Sequence, residues 1–335
     1  MMEFTERAPI EKGFAAVFRN RVVPELDRLE AERQKRLRTA KTHAGLALAG
    51  GAVLSVFGLI WGTGDALIAP LLFMALAGVA AWLLWRRQER RWSGALSEAV
   101  MPAVCDFLGD LAHDREARDR FPLDMAVALG VIGGHNTAHL QDRIEGSWRG
   151  TGFELVEAEL REKRGSTGSG DNGSDSKNSL VFKGLLFRID VPEPAPTPIL
   201  IARDFGSIGN RLSRFFSDGR GRKMPVVAVD HPDFARHFVM HAEDPGAARR
   251  YLPPAFLDNL LVIAEGESDD GVKGMAAGFQ RDSFYLALTR DAPFLELGGL
   301  RQPVGAIEPQ LHSVFEDLAM VRRIIDHLHG QTPTG

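Results

Sequence analysis

The chain has 335 residues, 44% of them hydrophobic and 25% charged, with a formal net charge of -4. That length suits one large domain or two ordinary ones, and the mean composition is that of a globular protein. The acidic balance excludes a dedicated nucleic-acid binder, and a single cysteine, Cys105, excludes an intramolecular disulfide, a CxxC redox pair and a cysteine-rich zinc cluster.

Residues 1–42 form an N-terminal cytoplasmic segment. A juxtamembrane helix is expected in it from about Val22, with Pro24 in its first turn and Leu26, Leu29 and Leu37 among many charges. This helix runs into AGLALAGGAVLSVFGLIW, residues 44–61, which carries no charge. Gly62, Thr63, Gly64 and Asp65 supply turn chemistry, and ALIAPLLFMALAGVAAWLLW, residues 66–85, is again uncharged. A helix rises about 1.5 Å per residue, so each run can cross a hydrocarbon core of roughly 30 Å. Residues 43–86 therefore read as a transmembrane helical hairpin. Lys35, Arg36, Arg38 and Lys41 precede it, and Arg86, Arg87, Arg90 and Arg91 follow it. The connection between the two runs carries no positive charge. Since cationic flanks stay on the cytoplasmic side, both termini and the main soluble domain are expected there. A signal peptide would begin nearer the N-terminus, and an interfacial helix would need a polar face. The small residues Gly51, Ser55, Gly58, Ala77, Gly78 and Ala81 are read as packing the hairpin on itself.

Residues 87–122 form a second juxtamembrane helix. In it Trp92, Leu96, Val100, Val104, Phe107, Leu108 and Leu111 recur at spacings of three and four, with a kink expected at Pro102. Cys105 reads as a small buried apolar residue of this helix. Residues 123–330 read as a soluble α+β domain and 331–335 as a tail. Strands are expected at 143–149 and 152–162 around a Gly150-Thr151-Gly152 turn, then at 180–191, 199–205 and 224–229. A helix at 253–264, a strand pair at 272–280 and 283–288, and a final amphipathic helix at 308–329 complete the series. The segments 165–178 and 206–223, rich in glycine and polar or basic residues, read as surface excursions.

No motif with catalytic chemistry stands out. GSGDNG at 168–173 has the letters of a dinucleotide fingerprint but lacks the following helix that would meet a pyrophosphate. His231, His237 and His241 fall within eleven residues, yet Phe238, Val239 and Met240 read as strand, and a structural or surface role is favoured over zinc. His135 and His139 offer a second pair at helical spacing, in a glycine-rich segment. The basic residues Arg211, Arg214, Arg220, Arg222 and Lys223, with Phe215 and Phe216 among them, read as a solvated loop with lipid headgroups as the alternative partner. No catalytic, cofactor-binding or metal residue is assigned.

Three stretches resemble the bacterial membrane-protein family catalogued as domain of unknown function 3137. They are RIEGSWRGTGFELVEAEL (143–160), LVFKGLLFRID (180–190) and VAVDHPDFARHFVMHAEDPGAARRYLPPAFLDNLL (227–261), preceded by the two-span anchor. The resemblance covers roughly residues 15–265. It points to Phe182, Lys183, Gly184 and Phe187, and to Asp230, Phe234, Phe238, Arg249, Leu252 and Pro254, as motif positions of structural role. His241 stands where the family pattern has an aromatic residue. The resemblance implies a membrane-anchored cytoplasmic domain of unknown biochemistry, with a LemA-type membrane protein as a candidate partner. The leading functional expectation is a non-enzymatic interaction or scaffold protein in the lipid bilayer, self-associating or bound to another membrane protein. A membrane-surface enzyme with a site assembled from distant residues, and a small-molecule sensor, are the alternatives.

Overall fold

The computed structural model describes residues 2–61, 68–117, 120–164, 177–203, 223–269, 272–291 and 293–328. The chain falls into two compact units, Met1–Phe107 with Glu296–Phe315, and Leu108–Leu295 with Glu316–Gly335. Two long apolar helices near the N-terminus and an antiparallel sheet with helices make this an α+β protein, as the sequence led us to expect.

The first unit is built on two long helices. Helix α1 (Phe14–Val17) passes through a π-helical turn at Phe18–Val22 into α2 (Val23–Trp61), so the helix begins earlier than the expected Val22. The cause of the wide turn is local. Pro24 has no N–H to donate one turn back, and a π turn lets the backbone pass it without breaking the helix. Helix α3 (Ile68–Leu108) continues through Pro102, whose ring is exposed on the outer side, and stops where Gly109 turns to a φ of 79°. Points of contact advance in step along α2 and α3. The ideal Cβ of Gly58 would lie 3.7 Å from Pro70, that of Gly51 would overlap Ala77, and Arg21 pairs with Asp106 at 2.8 Å. The antiparallel pairing therefore persists from the apolar runs through the charged flanks. Gly51, Ser55, Ala77 and Ala81 are buried in the seam, as the small-residue pattern predicted, whereas Gly78 meets nothing within 4 Å.

The end of this unit remote from the apolar runs has an aqueous-type core. Phe4, Phe14, Phe18, Phe107 and Phe315 form an aromatic cluster with centroids 4.7 to 6.4 Å apart. Glu11, 1% exposed, is bonded to His312 Nδ1 at 2.6 Å and accepts the backbone N–H groups of Arg7 and Ala8. Burial alone would push the Glu11 carboxyl up, but these bonds outweigh it and hold the group below its ordinary range. Cys105 is 3% exposed, and burial with Asp106 beside it pushes its thiol up to about 11, so it is an inert packing residue.

The second unit centres on an eight-stranded sheet with neighbours antiparallel throughout, in the order β1-β2-β3-β4-β8-β7-β5-β6. The strands are β1 (Leu111–Asp114), β2 (Thr137–Trp148), β3 (Thr151–Arg164), β4 (Lys177–Asp190), β5 (Ile199–Arg203), β6 (Phe238–Ala242), β7 (Val272–Gln280) and β8 (Ser283–Arg290). Strand β1 was not expected. The β2–β3 hairpin turns at Arg149-Gly150, both with positive φ, one residue earlier than the expected Gly150-Thr151-Gly152. The expected strand at 224–229 is instead one bridge, Val226 to His241, because Pro225 has no N–H and Asp230 already leads into a helix.

Both sheet faces are covered. One carries Val156, Ala158, Leu160, Phe182, Leu186 and Ala287 against Ala117, Phe121, Val131, Ile132 and helix α4 (Leu123–Leu129). The other carries Leu155, Leu185, Phe187, Phe284, Leu286 and Phe279, all buried, on the side of α5 (Pro232–His237), α6 (Pro245–Tyr251), α7 (Pro254–Asp269) and the second half of α8 (Glu308–Leu328). Burial on both faces explains why β3, β4 and β8 alternate so imperfectly in sequence. The ideal Cβ at Gly184 would lie 2.0 Å from the Leu288 carbonyl oxygen, so the β4–β8 approach requires glycine.

Candidate functional site

Two features carry functional information, one in each unit. In the first, both long helices contain 18-residue windows of mean hydropathy 1.8 and 2.1 that are only 11% and 17% buried. Leu46, Val53, Ile60, Ile68, Leu71 and Leu83 are each more than half exposed there. A core helix of a soluble protein would bury such residues, since each fully exposed one forfeits about 1.5–3 kcal/mol. The flanking cations meet at one level of the hairpin because the helices are antiparallel. Lys35, Arg38, Lys41, Arg86, Arg87, Arg90 and Arg91 are exposed, and Arg36 pairs with Glu32 at 2.5 Å. Arg86 and Arg301 each lie 4.5 Å from an indole centroid, over Trp82 and Trp85 respectively.

In the second unit a cleft of about 600 Å³ opens beside the aromatic end of the sheet. Its floor is Phe256 and Phe279, which meet edge to face at 5.4 Å. One wall is the Pro192–Pro196 segment, held to the β7–β8 turn because Val191 and Ala195 donate to the carbonyl oxygens of Asp282 and Arg281. The opposite wall is the end of α6 and the start of α7, with Tyr251, Leu252 and Pro253. Tyr251 donates its hydroxyl to the Glu193 carbonyl at 2.7 Å and packs edge-on against Phe279. Burial, with the Glu193 carboxylate close by, pushes that phenol above its usual range, so it stays a donor at neutral pH. Asp190, Glu193, Arg250 and Asn259 supply the polar lining. The arrangement offers aromatic and proline surfaces with hydrogen-bonding groups around them, suited to an extended apolar segment more than to bond-breaking chemistry.

The histidines of the 231–241 segment are used by the fold. Phe234 donates its N–H to His231 Nδ1 at 3.2 Å, capping α5, which puts the ring proton on Nε2 facing Asp258 at 2.9 Å. His237 ends α5, and His241 lies on β6 with Nδ1 3.2 Å from the Met224 carbonyl oxygen. Among the described residues no three His, Cys, Asp or Glu side chains are gathered to hold a metal. Of the motif positions, Phe182, Phe187, Phe234, Phe238 and Leu252 are at most 5% exposed. Lys183 donates to the Asp291 carbonyl, while Asp230, Arg249 and Pro254 are exposed. Only Leu252 of this set lines the cleft. GSGDNG and the basic residues 211–222 lie outside the described residues.

Sequence reasoning also missed the buried ionic ladder of the second unit. Glu154, 6% exposed, is bonded to Arg143 and lies 3.6 Å from Arg188, while Asp326 accepts from Trp148 at 2.9 Å. The available signal was an acidic residue inside an apolar strand, as in FELVEAEL.

No curated protein matches the chain. The solved structure described as "crystal structure of the mycobacterial trehalose monomycolate transport factor A, TtfA" is similar at 10% identity, over 67% of this chain and 90% of that one, with a TM-score of 0.33. A likeness that weak carries no argument here. The family match is firmer and differs in extent from the stretch the sequence suggested, leaving out the hairpin and 143–160 but running on through α8. Residues 180–329 match the family described as "Protein of unknown function (DUF3137)".

Proposed function

We propose that the chain is a membrane-anchored interaction protein. Its hairpin crosses the bilayer twice, both termini and the sheet lie on the cytoplasmic side, and the cleft at Tyr251 receives an extended apolar or proline-containing segment of another membrane protein. The observation that carries the reading is the confinement, among the described residues, of exposed large apolar side chains almost wholly to residues 46–60 and 68–83, with only Leu180, Val226 and Val262 elsewhere. The cationic collar supports the orientation, because positive flanks are retained on the cytoplasmic side.

A photo-crosslinking residue at Ala255, on the exposed lip of the cleft, should trap one partner from detergent-extracted membranes, and Tyr251→Ala should reduce the yield. A LemA-type membrane protein is the first candidate to look for. Recovery of no partner across several mild detergents would overturn the interaction reading. For orientation, a reporter active only outside the cytoplasm should stay silent on either terminus. A small-molecule sensor is the second reading, favoured by the aromatic floor of the cleft. A saturable small ligand displaced by Phe256→Trp would favour it.

A further inference from the structure

The inner base of the hairpin carries an open concavity of about 420 Å³ on one face of α2, lined by Gln34, Lys35, Arg38, Thr39, Thr42 and His43 among others. Its charge is uncompensated. Arg33 and Arg36 on the same helix are paired with Glu30 and Glu32, whereas among the described residues Lys35 and Arg38 have no carboxylate within ion-pair distance. Thr39 and Thr42 donate their hydroxyl protons to the carbonyl oxygens of Lys35 and Arg38, at 3.0 and 2.9 Å. Their hydroxyl oxygens thus keep a lone pair with which to accept. A phosphodiester has no donor for it, but a headgroup with hydroxyls does. Arg38 lies about 9 Å along the helix from Ala44, where the apolar run begins, so its long side chain reaches the headgroup layer.

We propose that this concavity is a binding site for an anionic, hydroxyl-bearing phospholipid headgroup. Lys35 and Arg38 engage the phosphate, and Thr39 and Thr42 accept bonds from the headgroup hydroxyls. The proposal rests on the reading that the hairpin spans the bilayer.

Phosphatidylglycerol and phosphatidylmethanol carry equal net charge, but only the first has headgroup hydroxyls, so the pair separates a shaped site from a diffuse field. Full-length protein in nanodiscs should retain phosphatidylglycerol over phosphatidylmethanol when released and weighed by native mass spectrometry. Lys35→Gln should weaken retention roughly fivefold and the Lys35→Gln/Arg38→Gln pair roughly 25-fold. Thr42→Val should abolish the preference while both lipids still bind, and Arg90→Gln/Arg91→Gln should leave the preference intact. Equal retention of the two lipids, or a preference that survives loss of Lys35 and Arg38, sinks the site and leaves the anchor standing. Complete displacement by millimolar glycerol phosphate would reassign the site to a soluble ligand. Failure of the wild-type chain to enter the discs would overturn both the site and the membrane reading.

Discussion

The outer part of the hairpin, residues 44–60 and 68–83, and its inner part, residues 22–40 and 92–105, belong to the same two helices and bury opposite kinds of side chain. Outside, Ile60 and Leu71 are 70% and 69% exposed, and the seam is made largely of glycine, alanine and one serine, with Pro70 and Phe73 beside Gly58. Inside, Leu26, Trp92, Val100 and Val104 are at most 1% exposed, and even Arg33 is buried against Glu30 and the Leu300 carbonyl. On the proposed membrane reading the difference follows from the solvent. Lipid would give two apolar helices no hydrophobic reason to associate, so contact would depend on close backbone approach and a few hydrogen bonds. Water drives large side chains together and tolerates a buried charge only when it is paired.

Trp92→Ala should have the largest effect, about 3–5 kcal/mol of lost stability in a thermal melt of detergent-solubilised protein, while membrane insertion is unchanged. Trp92→Phe should cost much less, because it also removes an indole N–H that has no partner among the described residues. Next comes a charge in the outer half. Leu76→Arg should cost about 3 kcal/mol in a membrane-insertion assay, and the same change at Leu96 should spare insertion and unfold the inner core. Equal effects at the two positions would erase the distinction between the halves.

Smaller effects sharpen it. Glu30 accepts from Arg33, Gln34 and the Val304 N–H, and chiefly the Arg33 bond holds its carboxyl down at about 2 against an ordinary 4.5. A depressed carboxyl stabilises the fold above its unfolded value, and that contribution disappears as pH falls from about 4.5 through about 2. Glu30→Gln should cost about 1–2 kcal/mol at pH 7, and the gap in melting temperature from wild type should close over that acid window. Ser55 donates one hydroxyl to both the Gly51 and Pro70 carbonyl oxygens, at 2.8 and 2.9 Å. Ser55→Ala should cost only about 0.6 kcal/mol, read as a small shift in the detergent melt.

Much of the fold was legible because its signals are local. The charge-free runs, the Arg281-Asp282 hairpin turn and the amphipathic face of the last helix each depend on residues close in sequence. The π turn at Phe18–Val22 was not read, although Pro24 marked it, because proline in a first turn usually passes without distortion. Strand β1 is only four residues long and has no period to detect. The 224–229 run looked like a strand since hydropathy registers Val226, Val227 and Val229 but not the donor missing at Pro225.

The candidate sites divide in the same way. Sequence alone determined the two charge-free runs, their cationic flanks and the family likeness of 180–261, because length, charge and motif are one-dimensional quantities. The cleft had to wait for the tertiary structure: Asp190, Tyr251 and Phe279 come together only when β4, β7 and the α6–α7 corner meet. The ionic ladder likewise needs the β2–β3–β4 register to bring Arg143, Glu154 and Arg188 onto one face. A charge's partner is chosen by geometry among several candidates: Arg33 and Arg36 pair with Glu30 and Glu32 one turn away on α2, and Arg33 also reaches the Leu300 carbonyl. That is the physical reason Lys35 and Arg38 read in sequence only as orientation signals, and emerge as the proposed headgroup site once the nearby carboxylates are found already paired.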